Sequence, residues 1–205
     1  MILPDVNLTF KNESNDANNS EIVIFQKNIA SNNSEMPIAW KVIKNCGPGW
    51  KHPFIVPYTR QVGATDAWGN TAINPLPAKG GQLFHVFQTN GGSSIKYAGQ
   101  GPNWANIGIR NDLPKGIITT EIYSDGRLLA HKVGIAPGQK AVFNFNPIIW
   151  IGIASQIREG QPLNSYVLAN TNTKFGVLGI FSADIIMTGG GIGPDATPFE
   201  FHLEN

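Results

Sequence analysis

Ile117-Ile118-Thr119-Thr120-Glu121-Ile122-Tyr123 and Leu128-Leu129-Ala130-His131-Lys132-Val133, joined by Ser124-Asp125-Gly126-Arg127, form the stretch that decides the fold class. A type I′ turn needs positive φ at both central residues, and an Asp-Gly pair between two apolar, β-branched runs meets that demand. The spacing predicts a β-hairpin over 117–133. Working outward, short apolar runs recur at Val6–Lys11, Glu21–Lys27, Pro37–Ile43, Phe54–Arg60, Gln82–Thr89, Ser94–Ala98 and Ala105–Arg110. On the other side they continue at Lys140–Phe145, Ile148–Ala154, Tyr166–Ala169, Lys174–Phe181, Ile185–Thr188 and Pro198–Leu203. All read as strands. Gly47-Pro48-Gly49, Pro75-Leu76-Pro77, Gly91-Gly92, Gly101-Pro102, Pro137-Gly138 and Gly189-Gly190-Gly191 stand between them and break helices.

No window of about eleven residues carries a clean helical stripe. The expected fold is therefore all-β, an antiparallel β-sandwich of jelly-roll or Ig-like type with essentially no helix. A chain of 205 residues fits one such domain spanning 1–205, with 1–36 as an Asn-rich N-terminal strand segment. Leu83–Gln88 is apolar on both alternating faces, which predicts a central strand between two layers. Ile148–Ile153 is apolar throughout and is expected to be the most buried segment.

Charged residues make up only 14% of the chain, against roughly 25% in an average soluble protein, and the net charge is +1. Such a chain has no field to steer nucleic acid or an acidic membrane toward it, and its lysines and arginines form no cluster. Solvation falls to Asn, Ser, Thr, Gln and 23 glycines. A neutral surface offers little like-charge repulsion, which favours self-assembly or neutral ligands such as glycans. Cys46, the single cysteine, excludes an internal disulfide and a cysteine-rich zinc site. Met1-Ile2-Leu3-Pro4-Asp5 runs straight into a polar strand, so neither a signal peptide nor a transmembrane segment is expected. The expected location is cytoplasmic, or outside by a signal-less route.

Tests for chemistry select little. Cys46 and His52 flank a Gly-Pro-Gly turn, with no helix to lower the thiol pKa and no second His or Met to complete a copper site. The reading is a small buried cysteine and a loop histidine. His85, His131 and His202 are scattered along strands, and Asp66, Asp112, Asp125, Asp184 and Asp195 are equally dispersed, so no spacing marks a metal or a carboxylate pair. Gly189–Gly193 is followed by Pro194 and a strand-like run, which predicts a hairpin connection and not a phosphate loop. Asn7, Asn12, Asn18 and Asn32 satisfy the Asn-x-Ser/Thr spacing and read as products of an Asn-rich segment. In that segment Asn18-Asn19-Ser20-Glu21 recurs as Asn32-Asn33-Ser34-Glu35.

More suggestive is the density of aromatic and amide side chains between strands: Trp50 and Tyr58, then Asp66, Trp68 and Asn70, then Asn103 and Trp104. An aromatic face beside amides and a carboxylate suits a sugar ring, which has an apolar face and hydroxyl edges. It also suits a protein interface. These seven residues are the candidate ligand-binding set. No catalytic residue, metal or cofactor is expected.

Leu8-Thr9-Phe10-Lys11-Asn12, Ile24-Phe25-Gln26-Lys27, Ile38-Ala39-Trp40-Lys41-Val42 and Met187-Thr188-Gly189-Gly190-Gly191 before a final strand resemble the RhiA-like proteins of rhizosphere and host-associated bacteria. The resemblance covers the first 45 residues and about the last 20, and leaves 50–180 unaligned. It implies a small bacterial β-sandwich without a settled biochemical activity, and it transfers no site residues.

The leading functional expectation is a non-enzymatic, structural β-sandwich protein that self-associates into an ordered assembly, the strand in residues 1–20 adding to a neighbour's open edge. The alternative is a carbohydrate- or lipid-head-group-binding module, as in a host-directed toxin. A hydrolase with dispersed catalytic groups ranks third. Expected partners are further copies of the chain or a glycan.

Overall fold

A computed structural model of the chain describes residues 4–30, 35–71, 74–170 and 173–205. The protein is all-β: the described residues form sixteen strands numbered in chain order, one six-residue helix and a short 3-10 turn. Contacts divide it into two compact units: Met1–Gln26, Ile38–Tyr58 and Pro147–Asn205 form unit 1, and Lys27–Pro37 with Thr59–Asn146 form unit 2.

Unit 1 contains two four-stranded sheets. The first has the order β16 (Thr197–Glu204), β15 (Ser182–Gly190), β1 (Val6–Asn12), β4 (Lys51–Val56). The second runs β14 (Thr173–Gly176), β13 (Ile148–Ala154), β2 (Glu21–Phe25), β3 (Lys41–Ile43). Unit 2 also contains two: β11 (Arg127–Ile135), β10 (Ile118–Ser124), β5 (Arg60–Asp66), β6 (Leu76–Ala78), and β12 (Lys140–Phe143), β9 (Ile107–Asn111), β7 (Gln82–Thr89), β8 (Gly92–Gln100).

The two units share one sheet plan. In each, one sheet consists of two hairpins whose inner strands pair antiparallel, β2 with β13 and β5 with β10. The other sheet has a parallel pair at its centre, β1 with β15 and β7 with β9, flanked by antiparallel edges. These two pairs correct the expectation of purely antiparallel sheets. A parallel neighbour requires a crossover, and short-range turn signals do not reveal one: β7 reaches β9 only through β8 and residues 101–106.

The hairpin over 117–133 forms as expected, with Asp125 at φ 52° and Gly126 at φ 69°. Alternation places the core. Val6, Leu8 and Phe10 of β1 are buried, in register with Val56 and Phe54 of β4 and with Ala183 and Ile185 of β15. Each such large apolar side chain contributes about 2 kcal/mol relative to exposure. The first strand thus belongs to the core of its own sheet, with partners on both sides.

β2 is buried along both faces from Ile22 to Phe25, and so it, not Ile148–Ile153, is the more buried segment. Ile148, Trp150 and Ile153 remain half-buried, with Trp150 stacked on Phe25 at 6.2 Å between ring centroids. On β2, Val23 and Phe25 pack with Ala39, Leu163 and Val167. Val167 lies on α1 (Ser165–Asn170), which replaces the strand expected over Tyr166–Ala169. The cause is an N-terminal cap: Asn164 Oδ1 accepts from the Val167 N–H at 2.9 Å. Leu83–Gln88 does lie on an inner strand, but only Phe84 and Val86 are buried, while Leu83, His85 and Phe87 are half-buried.

Two further strand expectations change at prolines. The run Phe54–Arg60 breaks at Pro57, and the chain passes from unit 1 to unit 2 after Tyr58. Pro75-Leu76-Pro77, read as a turn, supplies β6 instead. Pro53, Pro77 and Pro198 all sit on edge strands, where a missing N–H costs no ladder hydrogen bond. The expected strand Pro37–Ile43 is laddered only over Lys41–Ile43, because Ala39 bonds instead to the loop at Gly160–Gln161.

Candidate functional site

Of the five tryptophans, Trp40 is buried and Trp150 half-buried, whereas Trp50, Trp68 and Trp104 are 70%, 87% and 86% exposed. The exposed three do not plug the core, and each stands on an ordered loop.

Trp68 is held by Asp66, whose Oδ1 accepts from the backbone N–H groups of Trp68 and Asn70 at 2.9 Å while Oδ2 accepts from Asn70 Nδ2 at 3.0 Å. These bonds, led by that of the Asn70 side chain, keep the Asp66 carboxyl below its ordinary pKa. Asn103 fixes the next loop, its Oδ1 accepting from the Ala105 N–H at 2.9 Å and its carbonyl from Asn106. Gly80 and Gly81 let that loop close in: a Cβ on Gly80 would stand 2.8 Å from the Trp104 carbonyl oxygen.

The seven candidate residues fall in four places. Trp50 precedes β4 and Tyr58 follows its far end, where the Tyr58 hydroxyl donates to the Val177 carbonyl at 3.3 Å. In unit 2, Asp66, Trp68 and Asn70 lie where Asp66 pairs with Ile118. Asn111 marks that same end of the unit, since its Nδ2 donates to the carbonyls of Gly116 and Ile135. Asn103 and Trp104 precede the opposite, N-terminal end of β9. The four residue steps of β9 from Ile107 to Asn111, about 13 Å of strand, lie between those two ends, so Trp68 and Trp104 stand at opposite ends of the unit.

Two concavities stand beside aromatic groups. The first, on unit 1, is an open groove of about 480 Å3 between the C-terminal end of β13, α1 and β16. Ile153 and Ala154 form part of its lining, Tyr166, Phe199 and Phe201 supply aromatic rings, and Ser155 and Asn164 supply a hydroxyl and an amide. None of its lining residues is charged. Sequence reading misses it because Tyr166 reads as part of a strand over Tyr166–Ala169, and Phe199 and Phe201 only as part of one over Pro198–Leu203. The signals available were the Asn164-Ser165 helix start and the two phenylalanines at a spacing of two.

The second is a recess of about 30 Å3 on unit 2, with room for one water-sized group. Leu83 and Gly108 line it together with Pro102 and Asn103 of the Trp104 loop and with Lys140 and Val142 of β12.

Cys46 is buried, and burial pushes its thiol above the ordinary pKa. His52 lies on β4 opposite Phe10, not in a loop. His85, which sequence spacing left isolated, donates from Nδ1 to Asp112 Oδ2 at 2.6 Å, and Arg110 Nε holds the other carboxylate oxygen at 2.8 Å. His85 Nε2 is buried without a hydrogen-bond partner among the described residues, so no hydroxyl or thiol completes a triad there. Among the described residues no group of three His, Cys, Asp or Glu side chains could hold a metal ion, and no helix is long and apolar enough to cross a membrane. Asn12 is buried, its amide donating to the Cys46 carbonyl at 2.7 Å, which explains that sequon structurally. Asn32 and most of the second Asn-Asn-Ser-Glu copy lie outside the described residues. Of Gly189–Gly193, the first two residues end β15, and the connection to β16 runs from Gly191 through a 3-10 turn at Gly193–Asp195.

No protein-family model, curated protein or solved structure matches the chain.

Proposed function

We propose that this protein is a non-enzymatic carbohydrate-binding protein whose main site is the groove between β13, α1 and β16 of unit 1. The observation that carries the reading is the lining: three aromatic rings, a hydroxyl and an amide around about 480 Å3, with no charged side chain. That volume lies within the usual range of small-ligand sites. An uncharged lining does not reward a charged ligand, and the rings offer apolar faces to the C–H side of a sugar while Ser155 and Asn164 serve its hydroxyls. Trp50, Trp68 and Trp104, exposed on loops fixed by their own hydrogen bonds, extend the same chemistry over the surface.

Self-association by donation of residues 1–20 is not part of this proposal, because β1 already has a partner on each side. The test is a glycan array followed by titration of the best neutral oligosaccharide. Tyr166→Ala and Phe199→Ala each weaken binding about tenfold, the usual effect of truncating an aromatic anchor, with the circular dichroism spectrum unchanged. Binding that survives both changes at full strength overturns the reading.

A further inference from the structure

We infer that a second copy of this chain is a partner of the protein: two copies exchange the segment 147–205, each completing the other's unit 1. The basis is an internal duplication. Strands β1–β8 and β9–β16 follow the same order, and each unit combines half of one repeat with half of the other: β16-β15-β1-β4 and β14-β13-β2-β3 in unit 1 match β8-β7-β9-β12 and β6-β5-β10-β11 in unit 2. The equivalence reaches single hydrogen bonds. Asn12 Oδ1 accepts from the Ser14 N–H at 3.1 Å, and its Nδ2 donates to the Cys46 carbonyl at 2.7 Å. Asn111 Oδ1 likewise accepts from the Leu113 N–H at 3.0 Å, and its Nδ2 donates to the Ile135 carbonyl at 2.8 Å. The Asn12 carbonyl accepts from the Gly49 N–H and the Asn111 carbonyl from that of Gly138, each at 2.7 Å. In both places the glycine follows a proline, Pro48 or Pro137, and leads into a strand that carries a buried phenylalanine, Phe54 or Phe143.

Each unit is thus completed by a half that the other repeat supplies, and the surfaces that meet are the same whether the two repeats lie in one chain or in two. In unit 2, residues 101–106 tie β8 directly to β9, so its halves stay joined. Unit 1 lacks that tie: within 1–205 its β13–β16 half is attached at one step, Asn146–Pro147. Lys27–Pro37, between β2 and β3, is part of unit 2 and holds the β1–β4 half to it, so 147–205 is the piece that exchanges. Proline fixes its own φ and keeps the residue before it extended, a conformation that runs on to a neighbour as readily as back to its own chain. In the exchanged pair β15 still lies between β1 and β16, and β13 between β2 and β14, so no strand loses a neighbour. Donation of residues 1–20 alone would break those ladders. Exchange of an identical element is a low-cost route to a dimer, and mass action sets its extent. All residues lining the groove lie within 153–201, so the dimer carries two grooves, and the inference stands apart from what they bind.

Refolding of the full chain from denaturant at two concentrations about tenfold apart, followed by light scattering, tests it. The dimer's share of chains is expected to rise about tenfold, as for any two-copy species in the minority. The Lys11–Asp184 ion pair, 2.6 Å apart, joins β1 to β15 across the exchanged surface and identifies it. Lys11→Asp or Asp184→Lys alone sets like charges against each other in unit 1. A mixed dimer of the two variants instead brings opposite charges together in both copies of unit 1, if the segments have exchanged. Native mass spectrometry of the co-refolded variants is expected to give at least about three mixed dimers for each like dimer, where random pairing gives about one. Monomer alone at both concentrations overturns the inference. A mixed-to-like ratio of about one assigns the dimer to contact between intact surfaces and also overturns it.

Discussion

Gly108 and Leu83 stand opposite each other in the parallel ladder of β9 and β7, and a methyl group on Gly108 would lie 2.9 Å from Leu83 Cδ1. The obstacle is the far end of a flexible side chain, with Lys140 Cδ next at 3.5 Å. Gly108→Ala is therefore expected to fold, with a stability loss of about 1 kcal/mol from repacking, while the added methyl and the displaced Leu83 fill the recess. Chemical denaturation of both proteins measures the loss. An unchanged midpoint would show that Leu83 moves aside without cost.

Asp125 and Gly126 both occupy positive φ in the β10–β11 turn, and no atom would meet a Cβ on Gly126 within 4 Å. The cost of Gly126→Val is then one of backbone conformation alone, about 2 kcal/mol for a β-branched residue forced into the left-handed region. Chemical denaturation measures it. An unchanged midpoint would remove the turn assignment.

Deleting residues 1–20 takes β1 from between β15 and β4 and uncovers the face that Val6, Leu8 and Phe10 share with Phe54 and Ile185. Losing three buried large apolar side chains costs about 6 kcal/mol, comparable with the whole stability of a small domain. The truncated protein should lose the circular dichroism of unit 1 and expose apolar surface to a hydrophobic dye. A truncated chain that remains folded would restore the idea of a strand free to pair with a neighbour.

Glu21 is held by Lys44 Nζ at 2.7 Å and by the Ile157 N–H at 3.0 Å, and these bonds, the Lys44 hydrogen bond foremost, lower its carboxyl below the ordinary 4.5. A carboxyl whose folded-state pKa is depressed stabilises the fold above its unfolded value and loses that contribution as pH falls through the folded value. Glu21→Gln should thus be less stable than the parent at pH 7 by up to about 1 kcal/mol, a figure already discounted for a partly exposed pair. The gap should close on acidification below 4.5. Urea midpoints for both proteins at neutral and acid pH check this, and a gap of constant size would show that the charge is not the cause.

What the sequence by itself determined is local. Asp125-Gly126 dictated its hairpin because the conformational demand of a two-residue turn is met within two residues, and alternation in Val6–Phe10 marked the buried face because the strand period is two. Those rules reach only as far as their spacing. The return of β15 beside β1 and the sheet plan that the two units share depend on pairings between residues far apart in the chain. Local propensity did not place Tyr166 on a helix either, because six residues held by one asparagine cap and by Val167 against the β2 cluster gain their stability from packing. The candidate site divides in the same way. Exposed aromatics next to amides were legible as a composition, and Asn103 and Trp104 do border a concave place. Only the tertiary structure decided that Trp68 and Trp104 mark opposite ends of one unit, that Phe199 and Phe201 line a groove, and that Asp66 and Asn103 spend their side-chain oxygens on their own loops. Hydrogen-bond demand is settled by whichever backbone groups arrive alongside, and the sequence does not say which those are.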